Sequence, residues 1–472
     1  MGKRGILLAV SSLPGKYGVG DFSDESLEFI KILKKNKVDV WQILPLNPIG
    51  YGHSPYQPFS SYTFDEIYIS LEDLRERGLI KHVNKVPSKA RTNYELARKI
   101  KEKAIYEAFE KFKLVHKNIN LLRNFIDDNP YVREYAEFIS LKELNGGVSW
   151  SEWKIKKEDN MDGFVYLVEK HAFAQMILFE QWNKIRKFAN KNGIEIVGDV
   201  PFYVGYDSSD VYFHRESFLL DEKFNPTKIA GVPPDYFSKD GQRWGNPIWN
   251  WEYLYKHEFK AMMDRLAYAA KMYDIVRLDH FRAFDSYWQI NPSCETAVDG
   301  EWKYPDGYAF FKKLYEKYPN INLIVEDLGD PRPEVLTLRD YFKLPGMREL
   351  EFTIFDDELD NHHLEVENMI YYTSTHDNET LLEWTTKLTK ERKAKLIKRM
   401  DELKMPGNNL VEKLVSYALR RKEKLVVISA SDLLCFNKSH RMNEPGKVNE
   451  VNWTFKLINF DKFKKTLPRF FK

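Results

Sequence analysis

Cysteine is nearly absent: the 472 residues hold two, Cys294 and Cys435, far apart in the chain. That excludes a disulfide framework and a multi-cysteine zinc site, and it suits a reducing compartment. An excess of one charge is also missing, since 72 Lys and Arg stand against 70 Asp and Glu for a formal charge of +2. A chain so balanced lacks the cationic surplus that counter-ion release from DNA or RNA requires, and the Lys-rich stretch 99–117 interleaves Lys with Glu like a solvated helix face. Nucleic acid is set aside as a partner. No apolar run is long enough to span a bilayer, so no membrane partner is expected and the reading is a soluble, cytoplasmic protein. Lys3-Arg4 before Gly5–Val10 imitates a signal peptide, but the run is short and Ser11-Ser12-Leu13-Pro14-Gly15 ends it as a strand entering a loop. Met1-Gly2 lacks the myristoylation pattern, because position six is Ile6.

What the chain does have is a recurrent short apolar run. Eight occur, at 5–13, 38–46, 194–202, 274–281, 322–328, 347–355, 369–375 and 425–430. Runs apolar on both faces read as parallel strands covered by helices, and helical periodicity fills most of the segments between them. Eight strand-helix units predict an α/β fold, a (β/α)8 TIM barrel. In the first connection Ser23-Asp24-Glu25 starts a helix, Leu27, Ile30 and Leu33 line one face, and Lys34-Lys35-Asn36-Lys37 ends it. Length alone, at roughly 150 residues per domain, would also allow about three domains. The spacing instead predicts a discontinuous catalytic barrel over 1–50 and 190–472, a mainly helical insertion over 52–165 after strand two, and an aromatic-rich loop insertion over 205–251 after strand three. Within the first insertion, 94–114 and 131–144 read as charged amphipathic helices, and 168–191 reads as the barrel's crossover helix. Insertions after strands rise from the C-terminal face, where barrels build active sites.

Strand tips are therefore where catalytic groups should lie, and four tips carry carboxylates. They are Gly198-Asp199-Val200-Pro201, Arg277-Leu278-Asp279-His280-Phe281, Val325-Glu326-Asp327-Leu328-Gly329 and Ser374-Thr375-His376-Asp377-Asn378. A single Asp at a strand end is commonly a helix cap or turn former; four together, flanked by His and Arg, are harder to assign that way. Residues two apart on a strand share a face, so Arg277 projects with Asp279, and a guanidinium beside a carboxylate favours its ionised form, suited to nucleophilic attack. Glu326 follows Ile324 and Val325, where apolar surroundings and neighbouring anions would raise its pKa and fit it for general acid and base work. One ionised and one protonated carboxyl about 5–5.5 Å apart is what retaining glycoside cleavage needs. The same Asp and Glu set could instead hold a divalent metal. Arg277 already supplies positive charge among them and no Gly-rich phosphate loop of the expected pattern is present, so no metal or other cofactor is expected.

Aromatic residues make up 15% of the chain, and ring faces cover the apolar CH faces of sugars while planar polar groups meet the hydroxyls. Candidate segments are Tyr51-Gly52-His53-Ser54-Pro55-Tyr56-Gln57, Pro233-Pro234-Asp235-Tyr236-Phe237 and Gln242-Arg243-Trp244-Gly245-Asn246-Pro247. Taken singly, any of these rings could equally be packing its own loop.

Over nearly its whole length the sequence resembles amylomaltase, the 4-α-glucanotransferase family of the wider α-amylase clan. The likeness rests on Ser54-Pro55-Tyr56-Gln57, Gly198-Asp199-Val200-Pro201, the 231–237 segment, Trp244-Gly245-Asn246-Pro247, Arg277 to Arg282, Glu326-Asp327-Leu328-Gly329, Leu344-Pro345-Gly346-Met347-Arg348, Thr375-His376-Asp377-Asn378 and Arg441-Met442-Asn443-Glu444-Pro445-Gly446, in the family's order. The resemblance implies Asp279 as nucleophile, Glu326 as general acid/base and Asp377 as the third carboxylate, which binds sugar hydroxyls and stabilises the transition state. It implies Arg277 as the residue orienting the nucleophile, His280, His376 and Asp199 as partners of the sugar at the cleavage point, Tyr56, Asp235, Gln242 and Trp244 around the glucan cleft, and Asn443 meeting the sugar from the last strand's loop. The implied activity is transfer of an α-1,4-glucan segment to the 4-hydroxyl of an acceptor glucan or glucose, with maltooligosaccharides and amylose as partners. Departures occur where the family usually shows Gly-Asn-Pro (Phe64-Asp65-Glu66 here), Asp (His53), Gly (Ala283 and Ser374) and Gln (Ser431); none replaces a catalytic carboxylate. An α-glucan hydrolase with the same carboxylates, and a non-catalytic glucan-binding protein on a degenerate scaffold, remain the alternatives.

Overall fold

The computed structural model describes residues 2–234, 238–329, 332–355 and 368–471. Eight parallel strands form at the eight apolar runs: Lys3–Leu7, Val40–Gln42, Glu195–Val200, Ile275–Leu278, Leu323–Val325, Gly346–Glu349, Met369–Tyr372 and Leu425–Ser429. Each lies beside the next in chain order, and strand eight pairs with strand one. The Val325 N–H donates to the Pro345 carbonyl at 2.9 Å, which brings strand five against the start of strand six and closes the circle. The fold is the expected (β/α)8 barrel. Most strands are shorter than their apolar runs, because the residues that follow turn into the barrel mouth. The sixth run, for example, leaves the sheet after Glu349 and continues as a helical turn over Leu350–Thr353.

The first connecting helix, Asp24–Lys35, has acidic residues in its first turn and lysines in its last, and it buries Phe29, Ile30 and Leu33 completely against the sheet. Between strands two and three lie helices Tyr94–Lys113, His116–Asp128 and Pro130–Leu144, followed by a 31-residue helix, Met161–Lys191. That helix runs without a break from the insertion to the barrel wall. Its middle packs in both directions, with Phe173, Leu178 and Trp182 fully enclosed. The helix His116–Asp128 escaped the sequence reading, since among its described side chains Leu122 alone is well buried in the core.

The segment after strand three, read from sequence as loop, contains ordered sheet. Ile229–Val232 pairs antiparallel with Gln242–Pro247 and with Tyr287–Ile290, which pairs in turn with Gly300–Lys303. Half of that sheet comes from beyond strand four, so the pairing had no local signature.

Gly198 in strand three is required by its neighbour: a Cβ there would lie 2.1 Å from the Tyr273 ring. Gly198→Ala is expected to destabilise the barrel by about 1–3 kcal/mol through overpacking. A lowered thermal midpoint checks this, and an unchanged one would show that Tyr273 gives way freely.

Candidate active site

The strand register brings the first charged groups together. Asp199 on strand three is paired with Arg277 on strand four, so both side chains leave the same face of the sheet. Arg277 Nη1 donates to both Asp199 oxygens and to Asp279 Oδ1, each at 2.8 Å. Burial opposes the guanidinium charge, but Asp199 and Asp279 outweigh it and hold Arg277 charged. The two carboxylates differ in access. The Asp199 side chain is 1% exposed and that of Asp279 26%, so Asp279 is the more open of the two. Asp199 is tied to the mouth through Arg277 and through Tyr56, whose hydroxyl donates to Asp199 Oδ2 at 2.8 Å.

Directly after strand five stands Glu326. Its Oε2 accepts the His280 N–H at 2.8 Å and its Oε1 the Leu328 N–H at 3.1 Å. Burial, reinforced by Asp279, pushes its carboxyl up to about 7 against the pull of Arg277 and the two N–H groups. The His280 donor is aimed by an unusual backbone: φ is 48°, in the left-handed region, immediately after Asp279. Its imidazole is pushed down to about 4 by burial and is therefore neutral near neutrality. The Trp244 ring meets it edge-to-face at 4.8 Å.

The third carboxylate is held from two sides. His376 Nε2 lies 3.3 Å from Asp377 Oδ2, and Asn443 Nδ2 donates to Asp377 Oδ1 at 2.6 Å. Burial works against the Asp377 charge, yet His376 and Asn443 overcome it and hold the carboxyl at about 2. Tyr56 stacks on His376 with ring centroids 4.8 Å apart, and His376 Nδ1 is 3.3 Å from its phenol oxygen. Tyr56, Asp199, Arg277, Asp279, His376, Asp377 and Asn443 are thus one connected network, with Glu326 set against its Asp279 side.

On the rim, Trp244 Nε1 donates to Gln242 Oε1 at 3.2 Å, and Gln57 Nε2 donates to the Trp244 carbonyl at 2.9 Å. The segment after strand two and the segment after strand three therefore meet here. Asp235 lies outside the described residues. Sequence reasoning names Gln57 and Arg441 within motifs but gives them no role of their own, and it passes over Glu349. Arg441 donates to the Asp377 carbonyl at 2.7 Å and to the Asn443 carbonyl at 2.7 Å, and its place in the 441–446 motif was the available signal. Glu349 is a carboxyl at the mouth end of strand six, inside a run noticed only for its apolar residues.

This arrangement sets a proton-carrying carboxyl beside a guanidinium-oriented carboxylate, with a third carboxylate kept anionic across the mouth. Such a set can protonate a leaving oxygen, attack an acetal carbon and stabilise positive charge on a sugar ring. The family model described as 4-alpha-glucanotransferase matches residues 8–460. A 4-alpha-glucanotransferase of Thermus thermophilus is 37% identical over 96% of this chain and 94% of its own, and one of Aquifex aeolicus is 38% identical over 96% and 95%. The solved structure of the amylomaltase from Streptococcus agalactiae in complex with acarbose is 31% identical, covers 100% of this chain and 98% of its own, and superposes with a TM-score of 0.93.

Proposed function

The chain belongs to the 4-alpha-glucanotransferase family, acting on α-1,4-glucans, and from that premise we propose that Asp279, Glu326 and Asp377 carry out the transfer as nucleophile, general acid/base and transition-state stabiliser. The observation that carries this reading is the division of labour between the two carboxyls beside Arg277: Asp279 accessible and guanidinium-held, Glu326 buried and pushed up to about 7.

Asp279 attacks the anomeric carbon of the donor while Glu326 gives its proton to the departing 4-oxygen, leaving a glycosyl ester on Asp279 and an anionic Glu326. An acceptor glucan or glucose then enters. Its 4-hydroxyl loses a proton to Glu326 as its oxygen displaces Asp279, so two inversions give net retention. Asp377, anionic across the mouth, favours the positive charge that grows on the ring in both steps. Arg277 keeps Asp279 aimed, and Tyr56 with Asp199 keeps Arg277 in place. Trp244 and Gln242, tied to Gln57, cover the donor and favour a sugar acceptor over water. Maltooligosaccharides and amylose are the proposed donors.

Maltotriose alone tests transfer against hydrolysis. Each transfer breaks one linkage and forms one, so glucose and longer oligosaccharides should accumulate at a constant count of reducing ends. A rise in reducing ends with each turnover, without longer products, would make the enzyme a hydrolase. Trp244→Ala is expected to raise the KM for maltotriose about tenfold, corresponding to about 1.4 kcal/mol of lost ring contact, with a smaller change in kcat. Initial-rate kinetics read this directly, and an unchanged KM would remove Trp244 from the donor site.

A further inference from the structure

Strand six ends in a carboxyl that this mechanism leaves unused. Glu349 is 3% exposed, and its Oε2 accepts from Asn378 Nδ2 at 3.0 Å. The same nitrogen donates to Glu351 Oε1 at 2.9 Å. On its other side Asn378 Oδ1 accepts from the Thr375 N–H at 2.6 Å and from Thr375 Oγ1 at 2.5 Å, and Thr375 Oγ1 accepts the Asp377 N–H at 3.4 Å. A single amide thus joins the end of strand six to the turn that carries His376 and Asp377. Its N–H groups go to the carboxyls of Glu349 at the end of strand six and of Glu351 in the helical turn that follows, and both of its oxygen contacts go to the turn after strand seven, so its hydrogen-bonding capacity is fully used.

We propose that Glu349 is a positioning residue for the transfer reaction, holding Asp377 in its working place through Asn378, and that it does so as the neutral acid. The proposal rests on the role given above to Asp377.

Among the described residues, the groups facing Glu349 are Glu326 from the end of strand five, Tyr372 from strand seven, Glu351 from the turn after strand six, and Asp377 with Asn378 from the turn after strand seven. Three of these are carboxyls and none is a cation. Burial pushes Glu349 up to about 8, the bond from Asn378 pulls it down, and Glu351, Glu326 and Asp377 add to the rise. At neutral pH it therefore carries its proton. A neutral carboxyl gives Asn378 an acceptor without adding another negative charge beside Asp377 and Glu326, whose own proton affinity such a charge would raise. Above about pH 8 Glu349 ionises and that balance is lost. A residue serving only to fill space would not need the acceptor oxygen.

Glu349→Gln keeps the acceptor oxygen and is neutral at every pH, whereas Glu349→Leu keeps the volume and loses the acceptor. Near pH 7 the Gln enzyme should retain kcat on maltotriose within about twofold, and the Leu enzyme should lose about tenfold or more in kcat with little change in KM. In the Gln enzyme the alkaline limb of the kcat profile should show one ionisation where the wild type shows two. Equal damage by Gln and Leu at neutral pH, an unchanged kcat in the Leu enzyme, or an alkaline limb identical in wild type and Gln would each overturn the proposal. If the Leu chain does not fold, the Gln profile still decides. Asp377→Asn run alongside separates the two readings: an active Asp377→Asn enzyme removes the role of Asp377, while an inactive one beside a fully active Leu enzyme removes only the role of Glu349.

Discussion

Asp279→Asn enzyme is expected to leave maltotriose unconverted, with kcat lower by about 10⁴-fold or more. The substitution is nearly isosteric, and an amide oxygen at the Oδ1 position can still accept from Arg277, so the barrel should melt at nearly the wild-type temperature. What is lost is a carboxylate able to form the glycosyl ester. The nearby Asp199 is no substitute, because its side chain is 1% exposed and its oxygens are engaged by Arg277 and Tyr56. A product ladder from maltotriose, run beside a thermal melt, makes the measurement. Retention of activity within tenfold of wild type would take the nucleophile's role away from Asp279.

Glu326→Gln should slow turnover of natural glucans by about 10²–10⁴-fold, the range for loss of a positioned general acid/base. Its pH signature follows from the sign of the shift. Burial and Asp279 raise the Glu326 carboxyl to about 7, so the protonated form needed to expel the leaving oxygen predominates below that pH and is lost as pH rises through it. The wild-type kcat/KM profile should therefore fall on its alkaline side near 7. In the Gln enzyme the fall near 7 should be absent, leaving only the Glu349 ionisation near 8. A donor whose leaving group departs without a proton, such as an α-glucosyl fluoride, should recover most of the first step in Glu326→Gln and none of it in Asp279→Asn. Equal failure of both variants with the fluoride would show that Glu326 is not the acid.

Much of this protein is set locally and can be read along the chain. Apolar residues on both faces of the eight runs mark buried parallel strands, and eight of them leave few arrangements but a closed barrel. The i and i+2 relation of Arg277 and Asp279 follows from strand alternation alone and is visible as a direct ion pair. The strand-tip carboxylates were legible for the same reason, since a barrel directs such tips to one end. Other features are contacts between distant parts of the chain. Tyr56 meets Asp199 and His376 at sequence separations of 143 and 320, and Asn443 meets Asp377 at a separation of 66. The antiparallel sheet at the mouth joins segments from either side of strand four. Glu349 is as ordinary in sequence as any Glu in a mixed run. Its importance comes from burial and from the amide it shares with Glu351. The strands, the barrel and the carboxylates at its mouth are legible along the chain, because these follow from periodicity and residue chemistry. The tertiary structure decided which carboxyl is sheltered and which is open, which amide holds which oxygen, and so which group keeps a proton, because solvent exclusion and non-local charge set proton affinity and neither is a property of a residue's neighbours in the chain.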